Sequence, residues 1–184
     1  MSKMLAILIL SALFCGKAWA LDEFDGIKCG SDIQKTLMGK RSTNERVVAT
    51  EARHKDLGLK NLGGDEVSDN LSLESWLVCG SEFELLVNTK GGLIRDVLPF
   101  PSHSKSSPMF IGACQLNGHE MAESMVAILD NRAGYNARDG AQAKTLLKAT
   151  AAWKIDEAHA RFEVQPTAGL GCALGGIATL DGGP

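Results

Sequence analysis

The sequence predicts a mainly β, α+β domain: an antiparallel sheet of hairpins, one or two short helices and two disulfides. Three observations carry this. Short apolar runs of strand length recur between turn residues from Leu71 to Val164, only one early segment has a capped helical pattern, and four cysteines remain once an export signal is set aside.

The signal occupies residues 1–20. Lys3 supplies a positive charge, Met4 to Phe14 is almost unbroken apolar, and Ala18-Trp19-Ala20 is a small-x-small cleavage site, so the mature chain is expected to begin at Leu21. The apolar run is too short for a membrane span, which takes roughly 20 apolar residues, and no second such run follows. Phe14 before Cys15 argues against a lipoprotein signal. Loss of Lys3 and Lys17 leaves 17 basic against 22 acidic residues, a net charge of −5. That balance, with no basic run longer than Lys40-Arg41, excludes nucleic acid as an expected partner.

Export places Cys29, Cys79, Cys114 and Cys172 in an oxidising compartment, where paired thiols persist as disulfides. Three connectivities are possible. Structural zinc ligands usually come in close pairs, and no two of these cysteines are nearer than 35 residues, so no metal is expected on them.

Along the mature chain, Ser31 and Gln34 have capping-box spacing and predict a short helix over 32–38, with Ile33 and Leu37 on one face and Gly39 ending it. Residues 40–70 are polar; a strand at Val47 to Glu51 and a turn at Leu62-Gly63-Gly64-Asp65 are expected. Alternation then predicts a strand from Leu71 to Cys79, apolar on both faces in its latter part. Phe83–Val87 and Leu93–Leu98 pair around the loop 88–92. Met109–Leu116 and Ser124–Leu129 form another pair, with Asn117-Gly118 opening a longer connection. Asp139 and Gln142 at capping spacing suggest a helix over 141–149. Ala151–Ile155 and Arg161–Val164 make a last hairpin, and the glycine-rich end, with Gly169, Gly171, Gly175 and Gly176, reads as flexible chain, its residues 179–184 as a disordered tail. The domain is thus expected to span residues 21–178 as one unit.

Chemical motifs are sparse. Asp156-Glu157-Ala158-His159 spells a helicase box but lacks the phosphate-cradling loop that the box needs, and reads as a polar turn. His119-Glu120 starts like a helical zinc signature, yet Glu123 stands where the second histidine belongs. His54 and His103 have no ligand at useful spacing, and there is no nucleophile elbow or free cysteine. Trp76 and Trp153 read as core anchors. The segment 95–110 is the strongest candidate for a purpose: prolines at 99, 101 and 108 stiffen it, and Phe100, Ser102, His103, Ser104 and Lys105 form a possible contact surface. For an enzyme, the sequence-local candidates are Asp96, His103 and Ser104 in a hydrolase-type site.

The patterns Cys29-Gly30-Ser31-Asp32 and Cys79-Gly80-Ser81-Glu82, with Ser75-Trp76, Arg95-Asp96-Val97-Leu98-Pro99-Phe100-Pro101, Gly112-x-Cys114 and Ala152-Trp153-Lys154-Ile155-Asp156, resemble a group of uncharacterised exported bacterial proteins. The resemblance spans nearly the whole mature chain and implies secretion and a shared domain, with no activity, cofactor or active site attached. The resulting expectation is a non-enzymatic periplasmic or extracellular domain that binds another protein or a cell-envelope component, without a cofactor or a metal. A glycosylation acceptor at Asn70-Leu71-Ser72 would matter only in a eukaryotic secreted protein.

Protein recovered from an exporting host should begin at Leu21 and carry no titratable thiol. Intact mass checks both, because each disulfide removes two hydrogens; a mass with four free thiols would defeat the oxidised state.

Overall fold

The computed structural model describes residues 21–42, 46–136, 139–142 and 144–173. The expected signal, the tail and glycines 175 and 176 lie outside the described residues. Helices α1 (Ile33–Leu37) and α2 (Val47–Arg53) precede nine strands: β1 (Lys60–Ser68), β2 (Leu71–Val78), β3 (Ser81–Asn88), β4 (Ile94–Phe100), β5 (Met109–Leu116), β6 (His119–Leu129), β7 (Leu146–Asp156), β8 (Arg161–Val164) and β9 (Leu170–Ala173). None of these helices is long and apolar enough to cross a membrane.

The strands form two antiparallel sheets. One is a four-stranded meander in the order β1-β2-β3-β4. The other runs β6-β5-β9-β7-β8, and β6 also pairs with β7, so β5, β6, β7 and β9 close into a ring. Closure leaves these four strands without a free edge along their shared ladders.

Three apolar layers result. On one face of the meander, Trp76, Leu85 and Val97 pack against Phe24, Ile33, Leu37 and Leu57 of the N-terminal helical segment. On its other face, Leu71, Leu73, Leu86 and Phe100 meet Met109, Val126, Ile128 and Ile155 from the outside of the ring. The ring interior holds Phe110, Met125, Leu129, Leu147 and the small residues Ala127, Ala149 and Ala152. A circle of four strands encloses little room, which is why alanines line it.

Both disulfides form, as Cys29–Cys79 and Cys114–Cys172. The first ties the N-terminal segment to the β2–β3 turn, and the second joins directly opposed residues of β5 and β9. Loops of 50 and 58 residues correspond to about 4 kcal/mol each in the chain-entropy picture.

Several local expectations are corrected. The cap of α1 is Asp32, whose side chain accepts from the Lys35 amide; Ser31 instead bonds the Lys28 carbonyl, and Gln34 reaches the Val97 carbonyl at 2.6 Å. Val47 to Glu51 is helical, not a strand: Val47, Thr50 and His54 turn inward at helical spacing while Val48 is exposed, so the burial stripe overrides β-branching. Gly63 and Gly64 lie within β1 and make no turn. A Cβ on Gly64 would sit 2.2 Å from the Leu73 carbonyl oxygen, so glycine is required by the close approach of β1 to β2.

Asn117-Gly118 is the whole connection between β5 and β6, both residues at positive φ, and β6 starts at once with His119. The helix expected over 141–149 is absent at its C-terminal part, where Leu146 begins β7: Leu147 and Ala149 alternate into the ring, and a bulge after Ala149 restores Ala152 to the same side. Asp139 and Gln142 cap a turn only. Gly171 belongs to β9 and Gly169 to the turn before it, so this part of the glycine-rich end is sheet rather than flexible chain.

Leu86→Asp should abolish folding, since Leu86 is fully buried between the sheets and an unpaired carboxylate there costs several kcal/mol, comparable with a domain's whole stability. Ala149→Leu should fold but melt lower, by about 1–3 kcal/mol of overpacking. Normal yield and melting for both would refute this placement of the cores.

Candidate functional site

Residues 101–108 cross from β4 to β5, from one sheet to the other, and their placement follows from a narrow base. Phe100 is buried, its ring 5.7 Å from Trp153 and 6.0 Å from His103. His103 folds back onto β3, where its Nε2 lies 2.8 Å from Glu82 Oε2. Ser104 and Ser107 exchange both backbone hydrogen bonds, and the Ser104 hydroxyl contacts those of Ser106 and Ser107 at 3.1 and 2.9 Å. From the ring, the Asn131 amide donates to the Ser106 carbonyl and Asn131 Nδ2 to that of Lys105. The loop is held at every side but its crest, where Ser102, Ser104 and Lys105 are exposed.

Beneath it lies a polar group that sequence spacing did not reveal. Glu82 and Glu84 alternate on β3, so both face the second sheet, opposite Phe100 and Leu98 of β4. Glu84 is fully buried and accepts from the Ser75 hydroxyl at 2.6 Å. Desolvation pushes its carboxyl well above the ordinary carboxylate range, the Ser75 bond opposes this, and the Glu82 charge adds to it. The bond to Glu82 raises His103 above the usual imidazole value, against the effect of burial. Asp96 does not join them: its Oδ2 accepts from the Phe162 amide of β8, pinning one sheet to the other.

These partners bear on chemistry. Ser104 bonds other serines and His103 bonds Glu82, so neither makes the hydroxyl–imidazole contact that nucleophilic catalysis requires. Glu84, whose carboxyl burial pushes well above the ordinary range, has no exposed surface through which to meet a substrate.

His54 does have carboxylate neighbours. Its Nε2 lies 2.7 Å from Asp22 Oδ1 and 3.8 Å from Asp25 Oδ1, making Asp22, Asp25 and His54 the candidate metal ligands of the fold. The donor set fits a cation poorly, because Arg53 already spans both carboxylates at 3.1 and 3.7 Å and Asp22 also caps the Phe24 amide. The group reads as a clamp fastening the segment at Asp22–Asp25 to the end of α2. Sequence spacing gives no sign of it, because Asp22 and His54 are 32 residues apart and only the tertiary fold brings them together.

The remaining motifs are structural. Asp156 and His159 close the β7–β8 turn, His159 Nδ1 lying 2.7 Å from Asp156 Oδ2 and lowering that carboxyl. His119 and Glu123 sit on a strand, not a helix, so the four-residue spacing carries them apart. An open polar trough of about 510 Å³ runs along β1 and β2 past Gly64, Asp65 and Glu74, on strands that carry none of the loop residues.

Comparison with protein-family models, with curated proteins and with solved structures found no match.

Asp22→Ala should lower stability by about 2–3 kcal/mol, because it strips charged hydrogen bonds from three partners. Added zinc should leave the melting temperature of the parent unchanged; a zinc-dependent rise lost in Asp22→Ala would make the group a metal site instead.

Proposed function

We propose that the protein is an exported, non-enzymatic binding domain that presents the 101–108 loop to another protein or to a component of the cell envelope. The observation behind it is the loop's combination of a fastened base with an open crest. Phe100 and His103 anchor it, the Ser104–Ser107 exchange fixes its turn, and Ser102, Ser104 and Lys105 stand in solvent. A loop already ordered loses little conformational entropy on association, so its hydroxyls and ammonium can contribute to affinity.

Export is supported by the residues of the N-terminal signal, by the resemblance to exported bacterial proteins, and by two disulfides, which persist in an oxidising compartment. The binding reading uses Ser102, Ser104 and Lys105 as contacts and assigns Phe100 and His103 to holding the loop.

Ser102→Ala/Lys105→Ala should leave folding within about 0.5 kcal/mol per site, because both side chains are exposed. Capture from envelope extract, with mass spectrometry of what is retained, should recover a partner on the parent. A loop at the centre of the contact contributes roughly 2 kcal/mol or more, so the variant should retain that partner about thirtyfold more weakly. The same partners at the same yield would remove the loop as a site.

A further inference from the structure

We propose that Glu82, Glu84 and His103 form a proton-dependent latch between the two sheets, in which one proton held between the carboxyl groups keeps the 101–108 loop seated. It stands whatever the loop binds.

The argument begins with hydrogen-bond supply. Glu82 Oε2 is taken by His103 and Glu84 Oε2 by Ser75. The other oxygen of each carboxylate, Glu82 Oε1 and Glu84 Oε1, is enclosed and meets no donor. The two carboxyl groups stand two residues apart on the same face of β3, and Glu82 raises Glu84. Two ionised carboxylates have no donor between them, and two orphaned acceptors side by side in an apolar layer would be costly. One added proton turns one carboxyl into the donor that the other lacks. With Glu84 carrying that proton, Glu82 as carboxylate and His103 as imidazolium, the group is electrically neutral.

The strands beside the group present apolar and hydroxyl side chains. Ser75 faces it from β2, and Leu98 and Phe100 from β4; Asp96, the next carboxyl on that face of β4, is turned to the Phe162 amide. On the ring side, Trp153 packs against Phe100. The charged residues of the β7–β8 hairpin pair among themselves: Lys154 with Glu163, and Asp156 with His159 and Arg161.

Raising the pH removes the proton: the Glu84 O–H bond breaks, the proton passes to solvent base, and two adjacent carboxylates remain with one imidazolium. Glu84 holds its proton more tightly folded than unfolded, so its contribution is full below the ordinary glutamate value of about 4.3 and is lost as pH rises through the folded value. His103, also raised, contributes fully below about 6.5 and loses that contribution on further rise. Both changes loosen the base of the loop in the alkaline direction.

The test uses the mature, oxidised protein. Carbon-13 NMR of the Glu84 carboxyl should show ionisation well above the ordinary range, and hydrogen exchange at the Ser104 and Ser107 amides, corrected for its intrinsic pH dependence, should speed up over that same interval. Glu84→Gln, which supplies a permanent donor, should flatten the fall in melting temperature with pH and hold the loop protected. Ordinary ionisation of Glu84 would overturn the proposal, as would loop exchange that ignores its titration. The NMR and exchange measurements use the parent protein, so the outcome does not depend on whether the variant folds.

Discussion

The β2–β3 hairpin has to be covered on both of its faces, and most of the architecture follows from that requirement. Along β2 and β3 most side chains are buried, on one side around Trp76 and Leu85 and on the other around Leu73 and Leu86. A half-exposed antiparallel sheet would alternate polar and apolar residues; here two coverings are needed. The N-terminal segment supplies one with helices of five and seven residues. Helices that short are marginal alone, and they are held by packing, by the Asp22–Arg53–His54 clamp and by the Cys29–Cys79 bond. The closed ring supplies the other, and because it is closed it can present an apolar outer wall without exposing a long unpaired edge.

This layering explains what could be read from sequence. Three of the meander's four strands are legible because their runs are continuous and bounded: Leu71 to Val78, Phe83 to Val87 and Ile94 to Leu98 carry β-rich apolar residues between short turns, whereas β1, polar and with two glycines inside it, reads as a turn. The ring is legible only in part, for a physical reason. Its interior admits small side chains, so the first half of β7 is written with alanine, leucine and lysine, the composition of a helix, and only the alternation of Leu147 and Ala149 betrays it, while Ala151–Ile155 reads as strand. The first half of β6 is solvent-exposed and polar, which hides its start after Asn117-Gly118. β9 is four residues with a glycine inside, and it exists because β5 and β7 accept it from both sides.

The candidate site divides in the same way. Proline spacing and hydroxyl content mark 101–108 as a distinctive loop, and these are local properties. Its anchorage is not local: Glu82 and His103 are 21 residues apart, and their contact depends on β3 and β4 being in register so that Glu82 lies opposite Phe100. Likewise, nothing local to the run Phe83–Val87 singles out Glu82 and Glu84. Only the second sheet, laid over that face, buries Glu84 and half-buries Glu82. A residue type that is usually solvated thus becomes an enclosed carboxyl held well above its ordinary range.

The two halves of the molecule place opposite demands on pH. At the surface, hydrogen bonding from Arg132 lowers Asp130 to about 2, and His159 and Lys154 lower Asp156 and Glu163. Depressed carboxylates contribute above their unfolded values and lose that contribution as pH falls through the folded ones, while solvent screening keeps each contribution small. The buried group works the other way, because Glu84 and His103 favour the protonated state. Acid therefore weakens fastenings on the ring, at Asp130 and along the β7–β8 hairpin, whereas alkali weakens the seam between meander and ring. Glu84 is fully enclosed and the His103 and Glu82 side chains are only 12% and 11% exposed, so on the alkaline side a change in protonation acts on the packing, and the segment beside it is the loop that His103 holds down.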